Sequence, residues 1–351
     1  MCAVDAHAAR PQLAGQVSLA RKGQERDVVP ERVQAQQERQ SLAFSASGPF
    51  EIGTYEQEAL RRHVPLIIVP RSAKVTLSHP RLRDILACPV CRSRLSAVEP
   101  ALECSSCGAT FSYVDGVPVL TPDGRLPPLP AERGPVRRRL RPILSRKFGT
   151  RRMPERFAAS FPADSLLLNV GGGEEEYGPD VVNLDLAPYA PIDVVGFSEA
   201  LPFADASFAG CIAQAVLEHV EDAEATLIEI HRVLAPGGRV LVDVPFMQGR
   251  HAAPHDHRRF TEEGLRATLE RHGFAVVQSG VSVGPGSAMA TVTAEYLALL
   301  LSVRSRSAYR VARLLTSWLA LPLKYTDAWL AAHPEAGVIA SGVWAHARKG
   351  G

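Results

Sequence analysis

The sequence predicts an α/β protein: a doubly wound sheet of parallel strands, with a small four-cysteine module ahead of it and a helical insertion before its last strand. Three observations predict this. Residues 166–186, LLLNVGGGEEEYGPDVVNLDL, set two short apolar runs on either side of three glycines, as strands buried on both faces of a parallel sheet do. Two Cys-x-x-Cys pairs, Cys88 with Cys91 and Cys104 with Cys107, stand twelve residues apart. Downstream, short apolar runs alternate with stretches of helical period, the pattern of a strand-helix-strand fold.

At 351 residues the chain is long enough for two domains. A formal charge of +2 and a hydrophobic fraction of 46% describe an ordinary soluble protein, not one that binds nucleic acid through bulk charge. The opening MCAVDAHAARPQLAG has no basic segment followed by an apolar one, so no secretory signal is expected. Paired cysteines fit metal binding in a reducing cytosol better than a disulfide framework, and the expected location is cytoplasmic. Residues 1–77, rich in Gln, Arg, Ala and Glu without a sustained period, are expected to be a disordered or loosely structured extension. An over-long start, with the functional protein beginning near Val75, would account for the same composition.

Residues 78–123 form the first module. Cys88-x2-Cys91 and Cys104-x2-Cys107 have the spacing of a four-thiolate zinc ribbon; free or redox-active thiols are the plainer alternative. Such a module buries too little apolar surface to fold alone, so zinc would supply much of its stability. Leu86-Ala87-Cys88-Pro89-Val90-Cys91 and Asp115-Gly116-Val117-Pro118-Val119-Leu120 resemble the short zinc-ribbon proteins that activate tRNA and translation-factor methyltransferases. That resemblance implies a structural metal, with no ligand position left open for water. Residues 124–157 are a linker stiffened by Pro127, Pro128 and Pro130 and loaded with arginine, including Arg137, Arg138, Arg139, Arg141, Arg146, Arg151 and Arg152. It reads as a solvated connector, or as a surface for RNA or anionic lipid.

The second domain, residues 158–351, opens on the glycine stretch. Residues 166–170 and 181–185 are expected strands, with Asp185 delivered at the carboxyl end of the second, where an acid suits a ribose diol. Glu174, Glu175 and Glu176 follow the glycines and would repel a diphosphate, so a phosphate-free nucleoside such as S-adenosylmethionine fits better. Residues 193–196, 208–213 and 239–245 are further strands, with a helix over 223–234 whose Leu227, Ile230, Val233 and Leu234 keep helical spacing.

LPFADASF, VLEHVED and EIHRVLAPGGRVLVDVPF resemble, in order and spacing, the class I S-adenosylmethionine-dependent methyltransferases of the small-molecule type. The resemblance runs from about residue 166 to 281 and implies a Rossmann-like, seven-stranded methyltransferase sheet. It implies that Gly171 and Gly173 pack against the methionine part of the cofactor and that Asp185 holds the ribose hydroxyls. Gln214 would then lie near the sulfonium, with Glu218 and His219 close behind. Asn169 stands where the family usually carries an acid, and Phe197-Ser198 replaces the acid expected to hold the adenine, leaving Glu199 or backbone groups for that task. Only eleven residues separate Gly173 from Asp185, so the helix normally found there is truncated.

The loop FMQGRHAAPHDHRRFT brings His251, His255, Asp256 and His257 to the same sheet edge. His255 and His257, with Asp256, are the candidate bases for an acceptor proton; a structural hinge is the alternative, and a metal is disfavoured for want of a second carboxylate cluster. A helix over 261–273 is capped by Thr261 and stopped by Gly273. A sixth strand over 275–283 and a seventh over 338–347 enclose a helical insertion at 285–336. Its apolar face, Val311, Leu314, Leu315, Trp318 and Leu319, reads as a lid over the substrate pocket or as a peripheral membrane contact through 294–322; neither apolar run there is long enough to span a bilayer. The expected function is methyl transfer to an O or N nucleophile of a small-molecule, lipid-linked or glycan acceptor, with S-adenosylmethionine as cofactor and structural Zn2+. Methylation of rRNA or tRNA and a non-catalytic scaffold are the alternatives.

Overall fold

Apolar runs too short for helices and bounded by glycine or proline become the central strands of one mixed sheet. The computed structural model describes residues 77, 79–98, 101–127, 142–145, 147, 150–251 and 255–350. The expected N-terminal extension lies outside the described residues except for Leu77, as does most of the basic linker, Arg137, Arg138, Arg139, Arg141 and Arg146 included.

The cysteine module starts with a short helix, α1 (Leu82–Ile85). Strands β1 (Leu95–Val98), β2 (Ala101–Cys104) and β3 (Thr110–Phe111) then pair antiparallel. Strands β4 (Tyr113–Val114) and β5 (Val117–Pro118) form a hairpin. Its turn is Asp115-Gly116, with φ of 50° and 84°, the pair of left-handed residues that a two-residue hairpin turn demands.

After helix α2 (Met153–Ala158) come β6 (Leu167–Val170), β7 (Val181–Asp185), β8 (Val194–Val195) and β9 (Phe208–Gln214). Helix α3 (Ala223–Val233), strand β10 (Leu234–Pro245), helix α4 (Glu262–Arg271) and strand β11 (Phe274–Val283) follow. Helices α5 (Pro285–Ser302), α6 (Arg306–Ala320) and α7 (Asp327–Leu330) precede the last strand, β12 (Gly342–Lys349). The spatial order is β11-β12-β10-β9-β6-β7-β8. Strands β8, β7, β6, β9 and β10 are parallel neighbours, while β12 is antiparallel to both β10 and β11. The order reverses between β6 and β9, so the carboxyl ends of these strands open the crevice where open α/β sheets bind ligands.

Four expectations need correcting. The sheet is mixed, not wholly parallel, because β12 enters as the second arm of a hairpin-like pair with β11. Alternation of strand and helix fails between β6 and β8: the connections carry no helix, and only a 3₁₀ turn over Ser198–Ala200 precedes β9. Strand β10 begins at Leu234, directly after α3, and shifts register between Leu234 and Arg239, so Pro236-Gly237-Gly238 is a bulge within a strand, with Gly237 at φ 70°. The last strand begins at Gly342; residues 336–339 form a 3₁₀ turn instead.

Pleating sends alternate side chains to two faces. Leu168, Val170, Cys211, Ala213, Val240 and Val242 join the larger core with Leu227, Ile230 and Leu265 of the covering helices. Ile212 and Leu241 point the other way, onto Phe157 of α2. Cys211 is fully buried there, packing as a small apolar side chain.

The cysteine module continues this core. Leu82, Leu86, Leu102, Phe111 and Leu120 share the larger cluster with Leu184, Val194 and Phe203. Backbone bonds tie the seam: Ala87 N to Pro202 O at 2.9 Å, Ala204 N to Ile85 O at 2.8 Å, and Leu120 N to Val195 O at 2.8 Å. Residue Val119 bridges Val195 in parallel, covering the free edge of β8. Glu229 of α3, 3% exposed, accepts from Leu201 N (2.9 Å), Arg92 (2.8 Å) and Arg232 (2.7 Å).

The insertion departs most from the sequence reading. Helices α5 and α6 pack through small residues, Ala290, Ala294 and Ala298 against Ala312, Thr316 and Ala320, with Thr316 donating to Ala294 O at 2.8 Å. Alanine at every fourth position brings the two backbones close and turns the large side chains outward. Leu301, Leu315 and Leu319 are therefore 66%, 64% and 70% exposed, not buried as a lid would bury them. Asp327, itself buried, caps α5 from afar, accepting from Gly286 N at 2.6 Å and Ser287 N at 2.9 Å. No described helix is long and apolar enough to cross a membrane.

Candidate active site

The turn after β6 is built by glycine. Gly171 and Gly173 have φ of 64° and 55°, a region that a Cβ disfavours. A Cβ on Gly171 would lie 2.6 Å from Val216 Cγ2, whereas one on Gly173 would enter open space. Gly172 N donates to Leu184 O at 3.1 Å, and Gly173 N donates to Asp185 Oδ2 at 2.9 Å. Asp185 Oδ1 accepts from Leu186 N at 2.6 Å. A carboxylate has about four lone-pair sites, so these two bonds leave its outer lone pairs for further donors. Tyr189 stands beside it; burial and the Asp185 charge push its phenol up to about 12. Glu174, Glu175 and Glu176 are exposed and keep the mouth of the loop anionic.

Across the crevice, Gln214 ends β9 and accepts from the Tyr177 hydroxyl at 3.4 Å. Beyond it the chain turns through Ala215, at φ 54°, into Glu218 and His219. Glu218 is 0% exposed, and among the described residues neither of its carboxylate oxygens has a hydrogen-bond partner. Burial, with the charge of Asp243 nearby, raises its carboxyl to about 7. Nε2 of His219 lies 3.7 Å from Glu218 Oε1, and Nε2 of His251 lies 3.9 Å from the same atom. The two imidazoles meet edge to face, their centroids 5.0 Å apart. Burial lowers the His251 imidazole from its ordinary value, with His219 adding to the effect.

Asp256 steadies this cluster from behind. It is paired with Arg259 through both oxygens and accepts from His251 N at 2.7 Å, and the guanidinium holds its carboxyl well below the usual carboxylate range. Lys147, from the linker, pairs with the buried Asp243 of β10.

In the cysteine module the four sulfurs converge, all within 4.8 Å of one another. Cys91 Sγ lies 3.3 Å from Cys104 Sγ, and Cys88 Sγ lies 3.7 Å from Cys107 Sγ. These are free thiols. Both knuckles close alike: Arg92 N donates to Cys88 O at 2.8 Å and Gly108 N to Cys104 O at 2.9 Å, each residue being left-handed, at φ 62° and 73°.

A family model described as a methyltransferase domain matches residues 175–242, and one described as Trm112p-like protein matches residues 79–116. The chain carries a class I methyltransferase domain behind a Trm112p-like ribbon. Two curated proteins match part of the chain. One is the O-methyltransferase rstn1 of Aspergillus nomiae, 36% identical over 88 residues, 22% of this chain and 39% of that protein. The other is the uncharacterized protein YafE of Escherichia coli K12, 45% identical over 80 residues, 23% of this chain and 38% of that protein. The chain thus spans about two fifths of the length of each. Among solved structures, it is similar to the [4+2]-cyclase SpnF, at 19% identity and a TM-score of 0.36 over 57% of this chain and 80% of that one. It is also similar to the 1,6-didemethyltoxoflavin-N1-methyltransferase of Burkholderia thailandensis, at 18% identity and 0.35 over 58% and 79%.

Within the methyltransferase domain, the structure brings Gly171, Gly173 and Asp185 into one loop and sets Gln214 opposite. Asn169 is buried and donates its amide to Asn183 Oδ1 at 3.0 Å, binding β6 to β7 rather than facing the crevice. Glu199 accepts from Ser198 Oγ at 3.0 Å, and burial raises its carboxyl. His255 and His257 are exposed. Their backbones do the work here: His255 O bonds Nδ1 of His219 at 2.5 Å, and His257 N donates to Glu218 O at 2.7 Å. His251, not His255 or His257, joins Glu218 and His219. Tyr177, Lys147 and Asp243 also line the edge and were not legible as site residues.

Proposed function

We propose that the chain is an S-adenosylmethionine-dependent methyltransferase acting on an O or N nucleophile of a small acceptor, lipid-linked or glycan-linked, at the cytoplasmic face of a membrane. The observation that carries the cofactor reading is the Gly171-Gly172-Gly173 turn, left-handed at Gly171 and Gly173 and closed on Asp185 at the point where the strand order reverses. It offers an unobstructed backbone at Gly173 and a carboxylate with lone pairs to spare, and the exposed acids around it disfavour phosphate. Gly171 and Gly173 would border the methionine part, Asp185 the ribose hydroxyls, Glu199 the adenine and Gln214 the reacting end, with Glu218 and His219 behind it. Bound S-adenosylmethionine supplies an electrophilic methyl group. The chain's own residues orient the acceptor in line with it and keep water out. His219 and His251 stand at the acceptor's end of the crevice, with His255, Asp256 and His257 in the loop that positions them.

The outward face of α5 and α6 supports the acceptor class. Leu299, Leu300, Leu301, Val303, Leu315 and Leu319 are exposed together, with Arg304, Arg306 and Arg310 exposed alongside. A broad apolar patch edged by arginine suits the boundary between acyl chains and anionic headgroups. The ribbon is structural: a tetrahedral Zn2+ with bonds of about 2.3 Å needs sulfurs roughly 3.8 Å apart, close to the separations of Cys88, Cys91, Cys104 and Cys107. Its free thiols suit a reducing compartment.

Methyl-labelled S-adenosylmethionine incubated with the full chain and, in parallel, with a lipid extract, a polar metabolite extract and total RNA tests the acceptor. Label is expected in the lipid or polar fraction. Label confined to RNA would transfer the acceptor role to nucleic acid, with the ribbon and basic linker as its contacts.

A further inference from the structure

The Glu218 cluster is unusual in what it lacks. A fully buried carboxylate normally gathers donors, yet among the described residues Glu218 has none for either oxygen. The Nε2 atoms of His219 and His251 lie 3.7 and 3.9 Å from one oxygen. For His219 the hydrogen bond of the other ring nitrogen fixes what Nε2 carries. Nδ1 of His219 meets the carbonyl oxygen of His255 at 2.5 Å, and a carbonyl only accepts, so Nδ1 holds the proton. Nδ1 of His251 lies 3.4 Å from the carbonyl of Gly249, 3.7 Å from Asp256 Oδ2 and 3.5 Å from the Arg259 guanidinium, two acceptors and a donor, so these contacts admit either tautomer. In the neutral ring of His219, Nε2 is then a bare lone pair, turned on the buried Glu218 carboxyl. A lone pair and a carboxylate facing one another repel unless a proton or a metal cation sits between them.

We propose that Glu218, His219 and His251 form a second metal site, for a divalent first-row transition-metal ion, at the carboxyl edge of β9 and β10. All three ligand atoms lie within 4.8 Å of one another. Bonds of about 2.0–2.2 Å around a tetrahedral ion place donors roughly 3.3 Å apart, so the two separations from Glu218 need contract by only about half an ångström. The backing is of the kind metal sites use: His219 gives its second nitrogen to the His255 carbonyl, and the backbone of His251 is held by Asp256, itself fixed by Arg259. Two imidazoles and one carboxylate suit zinc or iron-group ions over calcium or magnesium. Three protein donors also leave coordination open, as in catalytic rather than structural sites. Resting on the methyltransferase reading, that open position takes the acceptor's hydroxyl or amine. The sequence spaces these residues thirty-two positions apart, His219 to His251, and the fold closes the gap.

Metal analysis of the full chain, stripped with chelator, reloaded with Zn2+ and desalted, tests the site through a difference that does not depend on activity. Wild type is expected to hold about one zinc per chain more than either His251→Ala or Glu218→Gln, with the affinity of that second equivalent lowered on the order of a hundredfold or more. His251 sits on a half-exposed loop, so its variant keeps the fold, and circular dichroism checks both. Equal zinc content in wild type and both variants would overturn the site. Titrating the same samples with S-adenosylhomocysteine separates the two readings: a wild type that loads the extra zinc but binds no cofactor product would sink the methyltransferase assignment and leave the metal site standing.

Discussion

Replacing Glu229 by alanine should uncouple the ribbon from the methyltransferase domain. Its carboxylate is 3% exposed and receives Leu201 N at 2.9 Å, Arg92 at 2.8 Å, and two nitrogens of Arg232 at 2.9 and 2.7 Å. Truncation orphans a buried N–H and leaves the Arg232 side chain, 10% exposed, without its buried counter-charge. Breaking a buried pair from one side costs about 3–5 kcal/mol. Arg232 keeps Phe203 O, Leu201 O and the exposed Asp205 as acceptors, so the lower end, about 3 kcal/mol, applies. At about 2–4 °C per kcal/mol for a domain of this size, the melting temperature should fall roughly 6–12 °C. Arg92 is the control. Its side chain is 53% exposed, so Arg92→Ala removes a partly solvated pair and should cost less than about 1 kcal/mol. Urea unfolding of both variants, followed by circular dichroism, decides the matter. Equal losses for the two, or a Glu229→Ala loss below about 1 kcal/mol, would refute the reasoning.

The glycine turn makes a paired prediction. Gly171→Ala adds left-handed strain and a 2.6 Å clash with Val216, together about 2–4 kcal/mol. Gly173→Ala adds only the strain, about 1 kcal/mol, because its Cβ enters open space; that space is the proposed cofactor's, so this variant should stay folded and lose S-adenosylhomocysteine affinity. Urea midpoints and calorimetry read the two effects, and a Gly173→Ala chain that binds normally would displace the cofactor from this turn. For the ribbon, Cys88→Ser should drop one zinc per chain by metal analysis and lower the thermal midpoint of the whole unit, since Cys88 and Leu102 share a core with Leu184 and Phe203. Unaltered zinc content would count against the four-thiolate site.

What was legible in the sequence was what local chemistry dictates. Four consecutive buried residues in β6 and four in β7 read as strands because both faces of a central strand are apolar. Thr261 was readable as a cap, and it does accept from Gly264 N at 3.0 Å. The cysteine spacing named the ribbon. Hidden were the contacts made between distant segments. Asp327 caps a helix forty-one residues upstream of it, which no local signal announces. Helix α6 carries an apolar stripe, and stripes ordinarily mean core; here the packing seam is a row of alanines and threonine, and the stripe faces outward. At the candidate site, glycine and Asp185 were legible because a nucleotide turn is a local motif. The cluster around Glu218 was not, because His251 reaches it only when β9 and β10 lie side by side. Choosing His255 and His257 followed their place in the loop; the fold uses their backbones to hold their neighbours.

The most direct test of the central claim is a calorimetric titration of the full chain with S-adenosylhomocysteine, beside the Asp185→Ala variant. Asp185 would give the ribose two charge-assisted hydrogen bonds, worth about 1.5 kcal/mol or more apiece. One-to-one binding to wild type is therefore predicted, weakened at least ~100-fold in the variant. Absence of heat from wild type at millimolar ligand, or equal affinity in the two chains, would contradict the account.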